Sequence, residues 1–101
     1  MKKVINRRMY NTETAEEIES YESNYLSSDF HYYEETLYRK KTGEFFLCGS
    51  GNGASPYSKR YSDGWGPGEG IHPLSLDDAK AWVERHMSAE CYINLFGEPE
   101  E

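Results

Sequence analysis

Apolar and polar residues are ordered most clearly between residues 34 and 48. The run Glu35-Thr36-Leu37-Tyr38-Arg39-Lys40 meets Glu44-Phe45-Phe46-Leu47-Cys48 through Lys41-Thr42-Gly43. A three-residue connection ending in glycine predicts a type I turn closed by a G1 bulge, with Gly43 in the left-handed region. That register sets Lys40 opposite Glu44, Arg39 opposite Phe45, Tyr38 opposite Phe46 and Leu37 opposite Leu47. Tyr38, Phe46 and Cys48 then share one face, and Leu37, Phe45 and Leu47 share the other. Apolar groups on both faces predict a hairpin at the centre of its sheet.

The flanking pattern is weaker. Val4 and Ile5 predict a short strand, turned by Asn6-Arg7 into Arg8-Met9-Tyr10. Residues 12–25 fit two readings. Thr14 with Glu17 resembles a capping box, and Ala15, Ile18, Tyr21 and Tyr25 fall near helical spacing. Against a helix, Thr12, Thr14, Ser20 and Ser23 are mediocre helix formers, and Ile18 is the one strong aliphatic. The strand reading is preferred, with Glu16, Ile18, Ser20 and Glu22 on one face and Glu17, Glu19 and Tyr21 on the other. Residues 49–70 hold seven glycines with Pro56 and Pro67, and read as one long Gly-rich loop that also carries Tyr57, Tyr61 and Trp65. Ile71–Leu74 reads as a short edge strand stopped by Pro73. Ser75, followed by Asp77 and Asp78, marks a helix start, with Leu76, Ala79, Trp82, Val83, His86 and Met87 along its inward stripe. Ser88 predicts a second helix, with Ala89, Tyr92, Ile93 and Phe96 inward and Gly97 as its stop. The expected architecture is a single α+β domain over residues 1–97. It has a small antiparallel β-sheet (a meander with central hairpin 34–48), then one or two C-terminal helices, and an acidic tail at 98–101.

Composition sharpens this. In 101 residues the chain has 37% hydrophobic positions and 15% aromatic ones, nine of them tyrosine. Tyrosine buries a large ring yet still needs a partner for its hydroxyl, which favours half-buried positions and interfaces. The net charge is −7. Nonspecific binding to nucleic acid or to an anionic membrane selects for basic faces, so neither is expected. Arg39-Lys40-Lys41 and Lys59-Arg60 make two short basic clusters. The basic start MKKVINRRMY has no apolar core behind it, which reads as cytoplasmic. Cys48 and Cys91 are expected to be reduced.

Between Arg8 and Arg39 lie eight carboxylates and no lysine or arginine: Glu13, Glu16, Glu17, Glu19, Glu22, Asp29, Glu34 and Glu35. Tyr10, Tyr21, Tyr25, Tyr32 and Tyr33 lie among them. Such a field is either a solvated face or a surface for a cationic partner, because carboxylates stand in for phosphates opposite Arg and Lys. Other chemistry is sparse. Gly49-Ser50-Gly51-Asn52-Gly53-Ala54 follows a strand, as phosphate loops do, but no Gly-Lys-Ser/Thr follows and Pro56 opposes a helix there. His31, Cys48, His72, His86 and Cys91 lack metal-ligand spacing, so no metal or other cofactor is expected. No nucleophile, base and oxyanion donor form a recognisable set, so the chain does not read as an enzyme.

Three stretches carry a resemblance. Lys2-Lys3-Val4-Ile5-Asn6, Tyr10-Asn11-Thr12-Glu13-Thr14-Ala15 and Leu37-Tyr38-Arg39-Lys40-Lys41-Thr42-Gly43-Glu44-Phe45-Phe46-Leu47 are joined by Ile71-His72-Pro73-Leu74-Ser75, Ala79, Trp82 and Phe96-Gly97-Glu98. With these the chain resembles small acidic proteins of Firmicutes phages and mobile elements, some of which inhibit type II CRISPR nucleases. The resemblance implies an anti-CRISPR inhibitor that mimics nucleic acid and occupies a guide or DNA channel of the nuclease. Glu16, Glu17, Glu19, Glu22, Asp29, Glu34 and Glu35 would supply charge, and Tyr21, Tyr25, Tyr32 and Tyr33 anchoring area. The alternative is an accessory protein of a mobile element that binds another host protein through its aromatic, Gly-rich loop.

Overall fold

Leu37 and Phe46 are both fully buried, although they face opposite sides of one hairpin. The computed structural model, which describes residues 1–101, has cover on both sides. The chain runs β1 (Lys2–Ile5), β2 (Arg8–Asn11), β3 (Glu16–Glu22), β4 (Tyr33–Arg39) and β5 (Phe45–Gly51). It continues through β6 (Lys59–Tyr61), β7 (Gly64–Gly66), β8 (Gly68–Leu74), α1 (Leu76–His86) and α2 (Ala89–Phe96). A four-stranded antiparallel sheet of order β3-β4-β5-β8 is the frame, so the architecture is α+β.

The central hairpin has the register its sequence predicts, with Leu37 opposite Leu47, Tyr38 opposite Phe46 and Arg39 opposite Phe45. Gly43 closes the turn at φ 94°. On one face Leu37, Phe45 and Leu47 pack against Ala79, Trp82 and Val83 of α1, with Tyr92, Leu95 and Phe96 of α2 at the margin. Both helices start where a serine hydroxyl can take an otherwise unpaired amide. Ser75 accepts from the Asp78 amide at 3.0 Å and Ser88 from the Cys91 amide at 3.2 Å. On the other face Phe46 and Ile71 pack with Tyr10 of β2. Tyr10 meets Phe46 edge-on at 5.4 Å, Tyr38 stacks on Phe46 at 5.2 Å, and the Lys40 ammonium sits 3.7 Å from the centre of the Tyr10 ring.

Residues 16–22 form a strand, but not with strict alternation. The register shifts between Glu17 and Glu19. This bulge lets Ile18 and Tyr21, which strict alternation would separate, both pack toward the helices. Tyr21 lies over His86 with ring centres 3.8 Å apart. The N-terminal hairpin is also present, but as a separate two-stranded sheet. Its turn puts Asn6 at φ 51° and Arg7 at φ 67°, as a type I′ turn requires.

The expected loop at 49–70 is corrected. Strand β5 enters it from one side, β8 begins at Gly68, and β6 and β7 make a small hairpin inside it. Pro73 does not stop β8, which continues to Leu74 on the sheet edge. Glycine is what makes the stretch look irregular in sequence, and one glycine has a packing role. A Cβ at Gly49 would overlap the Tyr57 ring, so the bare backbone makes room for a buried tyrosine.

Arg7 is the least suited residue of the first turn, because a side chain in the left-handed region is strained. Arg7→Gly is expected to raise stability by up to ~1 kcal/mol in a denaturant titration. An unchanged midpoint would mean that the hairpin turn is not limiting.

Candidate functional site

The sheet face away from the helices is ordered in three cross-strand rows: Glu17-Tyr38-Phe46-Pro73, Ser20-Thr36-Cys48-Ile71 and Glu22-Glu34-Ser50-Glu69. The N-terminal hairpin packs over Phe46 and Ile71. The last row lies at the end where residues 23–32 and 52–67 leave the sheet. Neighbouring strands are ~4.8 Å apart, and like charges directly opposite each other destabilise a pair. Glu22 and Glu34 are such a pair.

No cation neutralises that row. The ion pairs of the molecule join Arg8 and Lys40 to Glu44, Arg39 to Glu16, and His31 to Asp29. Relief comes from hydroxyls instead. Tyr32 donates to Glu34 at 2.9 Å, and Ser50 donates to it at 3.4 Å. The Glu34 bond, reinforced by the nearby charges of Glu34 and Glu22, pushes the Tyr32 phenol up to about 12.

Beside this row stands a set of uncovered apolar side chains. Leu26 is 79% exposed, Phe30 75%, Trp65 62% and Tyr25 50%. The loops that carry them are held by backbone bonds. Asn52 donates its side-chain amide to the carbonyls of Ser27 at 3.0 Å and Asp29 at 2.7 Å. The Ala54 amide reaches the Phe30 carbonyl at 2.8 Å, and the Asn52 amide the Tyr32 carbonyl at 2.9 Å. Asp29 accepts from the His31 amide at 2.8 Å and faces its Nδ1 at 3.0 Å, and these bonds hold its carboxyl below the usual range. Gly53 lies against the Trp65 backbone, which brings the β6–β7 hairpin to the same end. The Arg60 guanidinium sits 5.7 Å from the centre of the Trp65 ring. Apolar side chains held out on a fixed backbone suit protein docking, because little ordering entropy remains to be lost.

The acidic field read from sequence therefore divides. Glu22, Asp29, Glu34, Tyr25 and Tyr32 come together at this end. Glu16 is bonded by Arg39 at 2.8 Å, on the helix side of the sheet, which corrects its expected role as free charge. Glu17 accepts from the Tyr38 hydroxyl at 3.4 Å, at the far end of β3. Glu19 is exposed opposite Leu37, on the helix side. Glu35 is internal: it accepts from the Tyr57 hydroxyl at 2.6 Å and the Trp82 indole N–H at 2.9 Å. Tyr21 and Tyr33 lie near that network, as neighbours of His86 and Tyr57. Three residues of the site were not singled out from the sequence. Leu26 sits in a polar connection, Phe30 directly after it, and Glu69 in the stretch read as loop, whose Trp65 was already noted among its aromatic residues. The alternation of Glu69, Ile71 and Pro73 was the signal available for Glu69.

No group of three or more His, Cys, Asp or Glu residues is arranged to hold a metal ion, and no helix is long and apolar enough to cross a membrane. No family model, curated protein or solved structure matches the chain.

Two outcomes are expected from the internal network. Glu35→Ala leaves the indole N–H and the Tyr57 hydroxyl without an acceptor, and should cost ~1–3 kcal/mol in a denaturant titration. Burial holds His86 below its ordinary value. The unfolded chain therefore takes up this proton at higher pH than the folded one. The contribution is complete above the unfolded value of ~6.5 and is lost as pH falls through the folded value. His86→Phe should flatten the dependence of Tm on pH over that window, and an unchanged slope would place the titration elsewhere.

Proposed function

We propose that the chain is a stoichiometric protein-binding inhibitor, seating its acidic and aromatic end in a basic groove of an RNA-guided type II CRISPR nuclease. The observation that carries this reading is the row Glu22-Glu34-Glu69, held without a counter-cation beside Tyr25, Leu26, Phe30 and Trp65. An uncompensated cross-strand pair costs stability in the free protein. A cationic partner removes that cost on binding. Such a nuclease presents positively charged channels for guide and target, with arginines that read the PAM. Carboxylates meet those groups as phosphates do. The exposed rings and aliphatic chains supply what charge alone does not, a buried anchor at the centre of an interface. The resemblance of residues 2–6, 10–15 and 37–47 to small acidic mobile-element proteins points the same way. Inhibition here needs no turnover, only occupancy.

A second reading is favoured by the apolar end itself. Leu26, Phe30 and Trp65 could dock on a different host protein with the acids as a solvating rim. Salt separates the two, because exposed charge pairs are screened beyond ~8–10 Å at physiological ionic strength. Inhibition through the acidic row weakens as salt rises, whereas apolar docking changes little.

Glu22→Lys is the sharpest test, since it faces Glu34 directly. It should raise the stability of the free protein by ~0.2–1 kcal/mol. It should also weaken inhibition of nuclease cleavage by about tenfold or more, as for a buried interfacial charge. Retained inhibition by a Glu22→Lys/Glu69→Lys variant would defeat the proposal. Loss of inhibition with Trp65→Ala, together with its retention in the double-lysine variant, would favour apolar docking.

A further inference from the structure

We infer that the outer edge of β3 accepts an extended Lys- and Arg-bearing segment of a protein partner as an added strand. The two edges of the main sheet differ. The Asn52 amide donates to the Tyr32 carbonyl, which fixes the direction of alternate amides along β5. Carried across the register, this turns Glu69, Ile71 and Pro73 outward on β8. Pro73 has no N–H to offer, so that edge lacks a donor where an added strand would need one.

Strand β3 has no such closure. The Ser23 amide donates inward to the Tyr33 carbonyl at 2.9 Å, and the Tyr33 amide to the Ser23 hydroxyl at 3.1 Å. Alternation then turns Tyr21 and Glu19 toward β4, and Ser20 and Glu22 outward. The Ser20 amide is met by the side chain of its own neighbour, Glu19, at 3.4 Å. Proline is absent from Glu16–Glu22, and four of those seven residues are glutamate. The bulge at Glu17/Glu19 confines a regular ladder to Glu19–Glu22.

The charge identifies the occupant. A second copy of this chain would bring the same glutamates to the edge and be repelled. A basic strand meets Glu22 on one face and Glu19 on the other, because successive side chains alternate. Main-chain bonds give such an addition its affinity and the alternating side chains its selectivity. This deepens the proposed function, and rests on it only in taking the partner to be a basic protein.

The test uses the full chain and an end-blocked octapeptide of two Lys-Lys-Val-Val repeats, which carries lysines on both of its faces. A control peptide of the same sequence carries N-methyl groups on alternate amides, which keeps its charge and removes its ladder bonds. The unmodified peptide should slow hydrogen exchange at the Ser20 and Glu22 amides by about tenfold or more, as closure of an open edge requires. The methylated peptide and a folded Ser20→Pro variant should each lose the interaction. Equal affinity for both peptides, or unchanged exchange at Ser20 and Glu22, would overturn the inference. Failure here together with salt-sensitive nuclease inhibition would leave the proposed function standing, so the two are separable.

Discussion

Pairing of β4 with β5 is the constraint on which the rest of this structure depends. The hairpin presents Leu37, Phe45 and Leu47 on one side and Tyr38 and Phe46 on the other. A two-sided apolar hairpin cannot stand with one face in water. It needs two covering layers from a chain of 101 residues. The C-terminal helices supply one and the N-terminal hairpin the other. Every other element is placed by that requirement, including β3 and β8, which are left as the edges of the sheet.

Edges and ends are where the chain can afford uncompensated charge. Two glutamates on the helix side are answered within the chain, Glu16 by Arg39 and Glu35 by Tyr57 and Trp82, while Glu19 on the same side stays exposed. Those on the far face, at the end bearing the loops, are answered by hydroxyls at most. Hydroxyls ease repulsion without cancelling charge. The acids are spread through the sequence, and one cross-strand row of them, Glu22-Glu34-Ser50-Glu69, lies at the end that bears the loops and the exposed rings. The Asn52 clamp ties the loops of that end to one another, so the charge and the apolar anchors are presented as one unit.

Much of the framework was legible in the chain. Lys41-Thr42-Gly43 specified the turn, and with it the register of the central pair, because a short loop with one left-handed glycine leaves few alternatives. Ser75 and Ser88 marked both helix starts, since a hydroxyl capping a free amide is a local event. The preferred strand at residues 16–22 also stands. Residues 49–70 were harder to read, because glycine leaves no side-chain period. Gly49 and Gly70 are direct partners inside a well-formed pairing of β5 with β8 while looking like punctuation.

By itself, then, the sequence determined what neighbouring residues settle between them: turns, caps, the two-sided hairpin and the overall acidity. Tertiary structure alone decided which carboxylates are free. A glutamate's partner is chosen by strands and helices distant in sequence, as Trp82 and Tyr57 choose Glu35. The bulge at Glu17/Glu19 shifts the side-chain phase of one strand against its neighbour, and the sequence contains no local signal for it. Charge is written residue by residue, but its exposure and its neighbours are properties of the packed sheet.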